Sequence, residues 1–72
     1  MNLGKEIRKR RLALGWSQRE LALRAGVHPN SILAYEKGDR EPYLSSAVLI
    51  LNAMGYSLAI VPIAVDRRNG NE

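Results

Sequence analysis

Cysteine is absent from this chain, so disulfides and thiolate metal sites are excluded, and the single histidine, His28, cannot assemble a zinc site within one chain. Long apolar runs are absent too. The longest, Leu58 to Val65, falls well short of the roughly 20 residues a helical membrane span needs, and Pro62 interrupts it. The first residues alternate charge with apolar side chains and show no secretory signal pattern. There is no internal repeat, no Gly-rich phosphate loop after a strand and no carboxylate pair spaced around an evident pocket. These absences set the expectations of no enzyme activity, no metal, no cofactor and no membrane, and of a soluble cytoplasmic protein. With 72 residues, the core is only marginally large enough to hold a fold. Since disulfides and metals are excluded, oligomerisation is the remaining source of added stability.

Acidic residues are few at the amino-terminal end. Up to Ala25 the chain carries Lys5, Arg8, Lys9, Arg10, Arg11, Arg19 and Arg24 against only Glu6 and Glu20, which concentrates positive charge there. From Gly26 onward the charges nearly balance. Such a field suits a polyanion such as DNA or RNA, or an anionic membrane surface, although a solvated helix face has the same composition.

Four helices are predicted. Leu3, Ile7, Arg11 and Leu14 recur at helical spacing before Gly15, which places helix 1 over about Leu3 to Leu14. Ser17 followed by Glu20 reads as a capping box, flanked by a Trp16 and Leu21 staple, and opens helix 2, about Gln18 to Ala25, stopped by Gly26. Pro29 fits the first position of helix 3, with His28 as its cap by place though not by preference. Gly38-Asp39 and Pro42 close it near Lys37. Helix 4 spans about Leu44 to Met54, with an apolar stripe of Leu44, Ala47, Val48, Leu51 and Met54 that Leu49, Ile50 and Ala53 widen. A helix apolar on nearly all sides needs cover on two sides, so a partner is expected to supply the second.

The informative unit runs from Ser17 to Gly38, two short helices joined by a tight glycine turn, with small Ala22 in one and Ile32 in the other. Such a pair projects its second helix outward, where it can enter the major groove of B-DNA. Through Arg11, Gly15, Ser17-Gln18, Leu21-Ala22, Gly26-Val27, Ile32, Glu36, Gly38 and Pro42, over roughly residues 3 to 55, the chain resembles the lambda-repressor-like, or Xre-type, helix-turn-helix family. The resemblance implies a mainly α, four-helix DNA-binding domain that dimerises on operator DNA, in the cytoplasm of a prokaryote or under phage control, and on the nucleoid when bound.

Arg11 and Glu36 both project towards one core, where two charges are tolerable mainly as a pair, so a structural ion pair is expected. By resemblance, Pro29, Asn30 and Ala34 occupy base-reading positions. Asn30 has the donor and acceptor suited to adenine, while Pro29, Ala34 and Leu33 suit a thymine methyl, which inclines readout towards A·T pairs. Gln18 sits where the family commonly holds phosphate, with its backbone N–H also free there. Arg19, His28, Ser31, Lys37 and Arg40 complete the expected backbone contacts. A plain cap competes for His28, and a solvated face competes for Lys9, Arg10 and Arg19.

The period then changes. Tyr56 to Ile63 is rich in β-formers and is predicted to be a strand, with 1–65 forming the domain and 66–72 a disordered tail. A lone strand leaves its backbone groups unpaired, so the expected solution is the same strand of a second chain, antiparallel across a two-fold axis. Ile50, Ala53, Tyr56, Leu58, Ile60 and Val61 are the expected homodimer interface. The leading functional reading is a dimeric repressor of transcription that binds a palindromic operator in double-stranded DNA. The alternative rests on the helix-then-strand ending, which resembles HipB-type antitoxins and implies a toxin partner and autorepression.

Overall fold

The computed structural model describes residues 2–59 and residue 62. Four helices follow in order: α1 (Leu3–Ala13), α2 (Gln18–Ala25), α3 (Pro29–Lys37) and α4 (Leu44–Ala53). α2 packs on both α3 and α4, and α1 packs on α3.

Side chains start three of these helices. Asn2 Oδ1 accepts from the Lys5 N–H at 3.0 Å, and Ser17 Oγ accepts from the Glu20 N–H at 2.9 Å. His28 Nδ1 accepts from the Asn30 N–H at 3.0 Å, so the unusual residue does cap α3, with Pro29 next to it. The capping box at Ser17 is only half formed, because the Glu20 carboxylate turns towards Arg24 on the next turn. Gly26 ends α2 at φ +74°, in the left-handed region that side chains rarely occupy, and its N–H and that of Val27 both donate to the Ala22 carbonyl. This reversal turns the chain from α2 into α3.

Ile7, Leu21, Ile32 and Ile50 are fully buried, one from each helix. Each is worth about 1.5–3 kcal/mol of transfer free energy. Ala22, Ala25, Tyr35, Leu51 and Met54 complete the cluster, and Leu3, Trp16, Val27 and Ala53 pack on its margin. On α1 the inward positions are Gly4, Ile7 and Arg11. Leu14, expected on that stripe, caps the helix at 44% exposure because the chain turns away at Gly15.

Of the stripe expected on α4, Ala47, Leu51 and Met54 are buried and Val48 is half-buried, but Ile50 joins them in the core while Leu44 is 73% exposed. Ile50, expected at a contact between chains, has no accessible surface. Its spacing from Ala47 and Met54 turns it into the protomer's own core, so it has no area to offer a second chain. The outward apolar surface of α4 is therefore Leu44 and Leu49.

No strand occurs among the described residues. After α4 the Tyr56 N–H donates back to the Leu51 carbonyl at 2.9 Å, and the Arg10 guanidinium lies over the Tyr56 ring, 4.4 Å from its centre. The chain thus leaves α4 folded against α1, and Tyr56 to Ala59 join no ladder. The rest of the expected strand, apart from Pro62, lies outside the described residues, as do Ile60 and Val61 of the expected interface and the whole 66–72 tail. No described helix is long and apolar enough to cross a membrane.

Candidate nucleic-acid interface

The site begins in the core. Arg11 Nε donates to Glu36 Oε2 at 2.7 Å and Arg11 Nη2 donates to Glu36 Oε1 at 2.8 Å, a two-pronged pair between α1 and α3. The side chains are only 8% and 3% exposed. The third Arg11 nitrogen, Nη1, donates to the Trp16 carbonyl at 2.7 Å, which holds the turn leading into α2. Burial works against the charge on Glu36, but hydrogen bonds from Arg11 and Gln18, and the nearby positive charge of Arg11, hold its carboxyl below the ordinary range. No described buried side-chain nitrogen or oxygen lacks a hydrogen-bond partner. One guanidinium therefore fixes α1, the α1–α2 turn and α3 together.

The helix-turn-helix unit presents its outer face from this anchor. Pro29, Asn30, Leu33 and Lys37 are exposed along one side of α3, and Ala34 lies half-buried between them. Asn30 uses its backbone N–H on the His28 cap, which leaves its carboxamide free to point outward. Arg19, Leu23, Val27, His28, Pro29 and Asn30 line an open groove of about 660 Å³ between α2 and the start of α3. Four of the sequence-predicted contact residues thus share one concavity.

On the other flank, Arg40 Nη2 donates to Ser31 Oγ at 3.3 Å, and the Arg40 guanidinium lies 5.5 Å from the centre of the Tyr35 ring. The loop after α3 thereby carries a cation back beside that helix. Lys37 lies 3.7 Å from Asp39, an exposed pair that dilutes its charge. The positive field is smaller than the residue count implies: Arg11 is buried in its pair, Arg10 meets Glu6 at 3.1 Å, and Arg24 meets Glu20. Lys5, Arg8, Lys9 and Arg19 have no salt-bridge partner among the described residues, and of these only Arg19 lies on the α2–α3 groove.

Two contacts were not expected from the sequence. Gln18 Nε2 donates to Glu36 Oε1 at 3.1 Å, a contact between residues 18 positions apart that no local pattern announces. Gly4 lies where α1 meets α3: a Cβ there would sit 1.9 Å from the Tyr35 carbonyl oxygen. Its signal was available, since a glycine at an inward helical position costs propensity and needs a packing reason.

A helix-turn-helix family model matches residues 7–61. An uncharacterized HTH-type transcriptional regulator of Haemophilus influenzae is 38% identical over 61 residues, which cover 85% of this chain and 62% of the relative. Another, from Methanothermobacter thermautotrophicus, is 47% identical over 49 residues, which cover 68% of this chain and 71% of the relative. The chain thus spans somewhat under two thirds of the Haemophilus protein. No solved structure matches.

Proposed function

Because the chain belongs to the lambda-repressor-like helix-turn-helix family, we propose that it is a DNA-binding transcriptional regulator that inserts α3 into the major groove. The observation that supports this reading is the outward face of α3. Asn30 is exposed there between apolar Pro29, Leu33 and Ala34, with Arg19 and His28 on one flank and Ser31, Lys37 and Arg40 on the other. Asn30 pairs with adenine N6 and N7, and the apolar residues meet thymine methyls. Gln18, Arg19, His28, Ser31, Lys37 and Arg40 hold phosphates and set the register.

Two copies act together in this reading. Leu44 and Leu49 on α4, and Tyr56 and Leu58 just after it, leave apolar side chains exposed, Ala53 is partly buried against the protomer's own core, and a second chain would cover the exposed ones. A two-fold axis would then place two α3 helices in successive major grooves about 34 Å apart, so the operator is palindromic. Occupancy of such a site represses transcription by blocking polymerase.

Selection from random-sequence duplex DNA, followed by footprinting, tests this. The enriched site should contain two inverted half-sites about one helical turn apart, each with an A·T preference. Asn30→Ala should lose that preference at one position, at a cost of about 1–3 kcal/mol there, while the fold is kept. Enrichment of the same bases by Asn30→Ala would remove Asn30 from the reading surface. A single half-site would remove the symmetric dimer.

A further inference from the structure

Gln18 is the one candidate DNA contact whose side chain is tied into the core, and the way it is tied has a chemical consequence. A carboxamide has a donor end and an acceptor end, whereas an ionised carboxylate only accepts. Glu36 is kept ionised, since the hydrogen bonds of Arg11 and Gln18 and the Arg11 charge outweigh the effect of its burial. Only the NH₂ end of Gln18 can therefore face it, and the observed contact is Nε2 to Oε1. That oxygen also receives Arg11 Nη2, so its position is set by the pair between α1 and α3.

With one Nε2 proton on Glu36, the second remains for a ligand. Gln18 is the first residue of α2, where the backbone N–H groups of the opening turn have no helical acceptor. The remaining side-chain proton and one of these backbone donors, the Gln18 N–H, belong to the same half-buried residue at the start of the helix, while the Glu20 N–H is taken by Ser17 Oγ. An anionic oxygen there can receive both, aided by the positive end of the helix.

We infer that Glu36 is a positioning residue for DNA binding: by accepting from Gln18 Nε2 it fixes the rotamer and the amide orientation with which Gln18 grips a backbone phosphate. Glu36 itself touches no DNA. This inference rests on the DNA-binding reading above and adds to it a link from the Arg11–Glu36 pair to one phosphate contact.

A double-mutant cycle on duplex affinity, using the selected site and proteins shown to be folded by circular dichroism, tests it. Gln18→Ala should weaken wild-type binding about tenfold, the usual loss for a hydrogen bond to a charged group. In the Glu36→Gln background the same substitution should cost less than about threefold, because the amide orientation is no longer imposed. Gln18→Asn, one methylene too short to span both partners, should behave like Gln18→Ala. Equal losses from Gln18→Ala in both backgrounds would mean that Glu36 acts only through stability, and would overturn the inference. Absence of DNA binding by the wild type would instead overturn the reading on which it rests.

Should Glu36→Gln fail to fold, the wild-type NMR spectrum decides. One Gln18 Nε2 proton should be protected from exchange and both should shift on DNA addition. Two rapidly exchanging protons, unmoved by DNA, would refute the positioning role.

Discussion

Replacing Arg11 with alanine is expected to lower the free energy of unfolding by about 3–5 kcal/mol, the range for removing one partner of a buried ion pair. The loss comes less from the bond than from what is left behind. Glu36 would remain buried with a single hydrogen bond from Gln18, and the Trp16 carbonyl would lose its donor.

The pH response should reverse sign, which distinguishes this cause from simple loss of packing. In the wild type the Glu36 carboxyl is held below its ordinary range, so its stabilising contribution is complete above about pH 4.5 and fades as the pH falls through the lower folded value. In Arg11→Ala burial dominates and the carboxyl rises above its unfolded value. The folded variant then takes up a proton more readily than the unfolded chain does, and it gains stability as the pH falls from 7 towards 5. Urea unfolding at those two pH values should show the wild type nearly unchanged and the variant recovering. A loss below about 1 kcal/mol, or a variant that weakens on acidification, would contradict a buried, uncompensated carboxylate.

Gly4→Ala should be nearly as damaging, although it adds only a methyl group. The Tyr35 carbonyl oxygen occupies the place a Cβ would take, at 1.9 Å, and the carbonyl carbon lies at 2.9 Å. Both are backbone atoms of α3, so no side-chain rotation relieves the clash and α1 must move off α3. The usual helix gain of about 1 kcal/mol for alanine over glycine is outweighed, and a net loss of about 2–4 kcal/mol is expected. Thermal unfolding checks it. A variant more stable than the wild type would show that α1 and α3 are not in such close contact. The same displacement would pull Arg11 away from Glu36, so Gly4→Ala and Arg11→Ala should be non-additive.

Helix starts and stops were legible in the sequence because they depend on neighbouring residues. Ser17, Pro29, Gly26 and Gly38 set the bounds of α2 and α3 by local chemistry, and the structure puts those helices at Gln18–Ala25 and Pro29–Lys37. The inward side of α4 was legible in Ala47, Leu51 and Met54, but the edges of the stripe were not, because the helix is apolar nearly all round and periodicity cannot rank its flanking positions. Ile50 is fully buried, and Leu44, at the first turn of the helix, is exposed. The Gln18–Glu36 bond and the Gly4–Tyr35 approach were hidden for a related reason: each joins distant segments whose meeting only the packed helices define. The β-forming stretch after Gly55 poses a different problem. A strand is specified by its partner as much as by its own residues, and the described portion of one chain supplies none.

Affinity for duplex DNA as a function of salt tests the central claim most directly. If the α2–α3 surface grips phosphates through Arg19, Lys37 and Arg40, with Gln18 at the start of α2, the logarithm of the affinity should fall linearly with the logarithm of salt concentration. The slope should be steep, about −0.9 for each phosphate neutralised, and twofold larger for a dimer than for one copy. Charge reversal at Arg19 or Arg40 should flatten it. A chain that binds no duplex at low salt, or binds it with no salt dependence, would contradict the claim that this surface holds DNA.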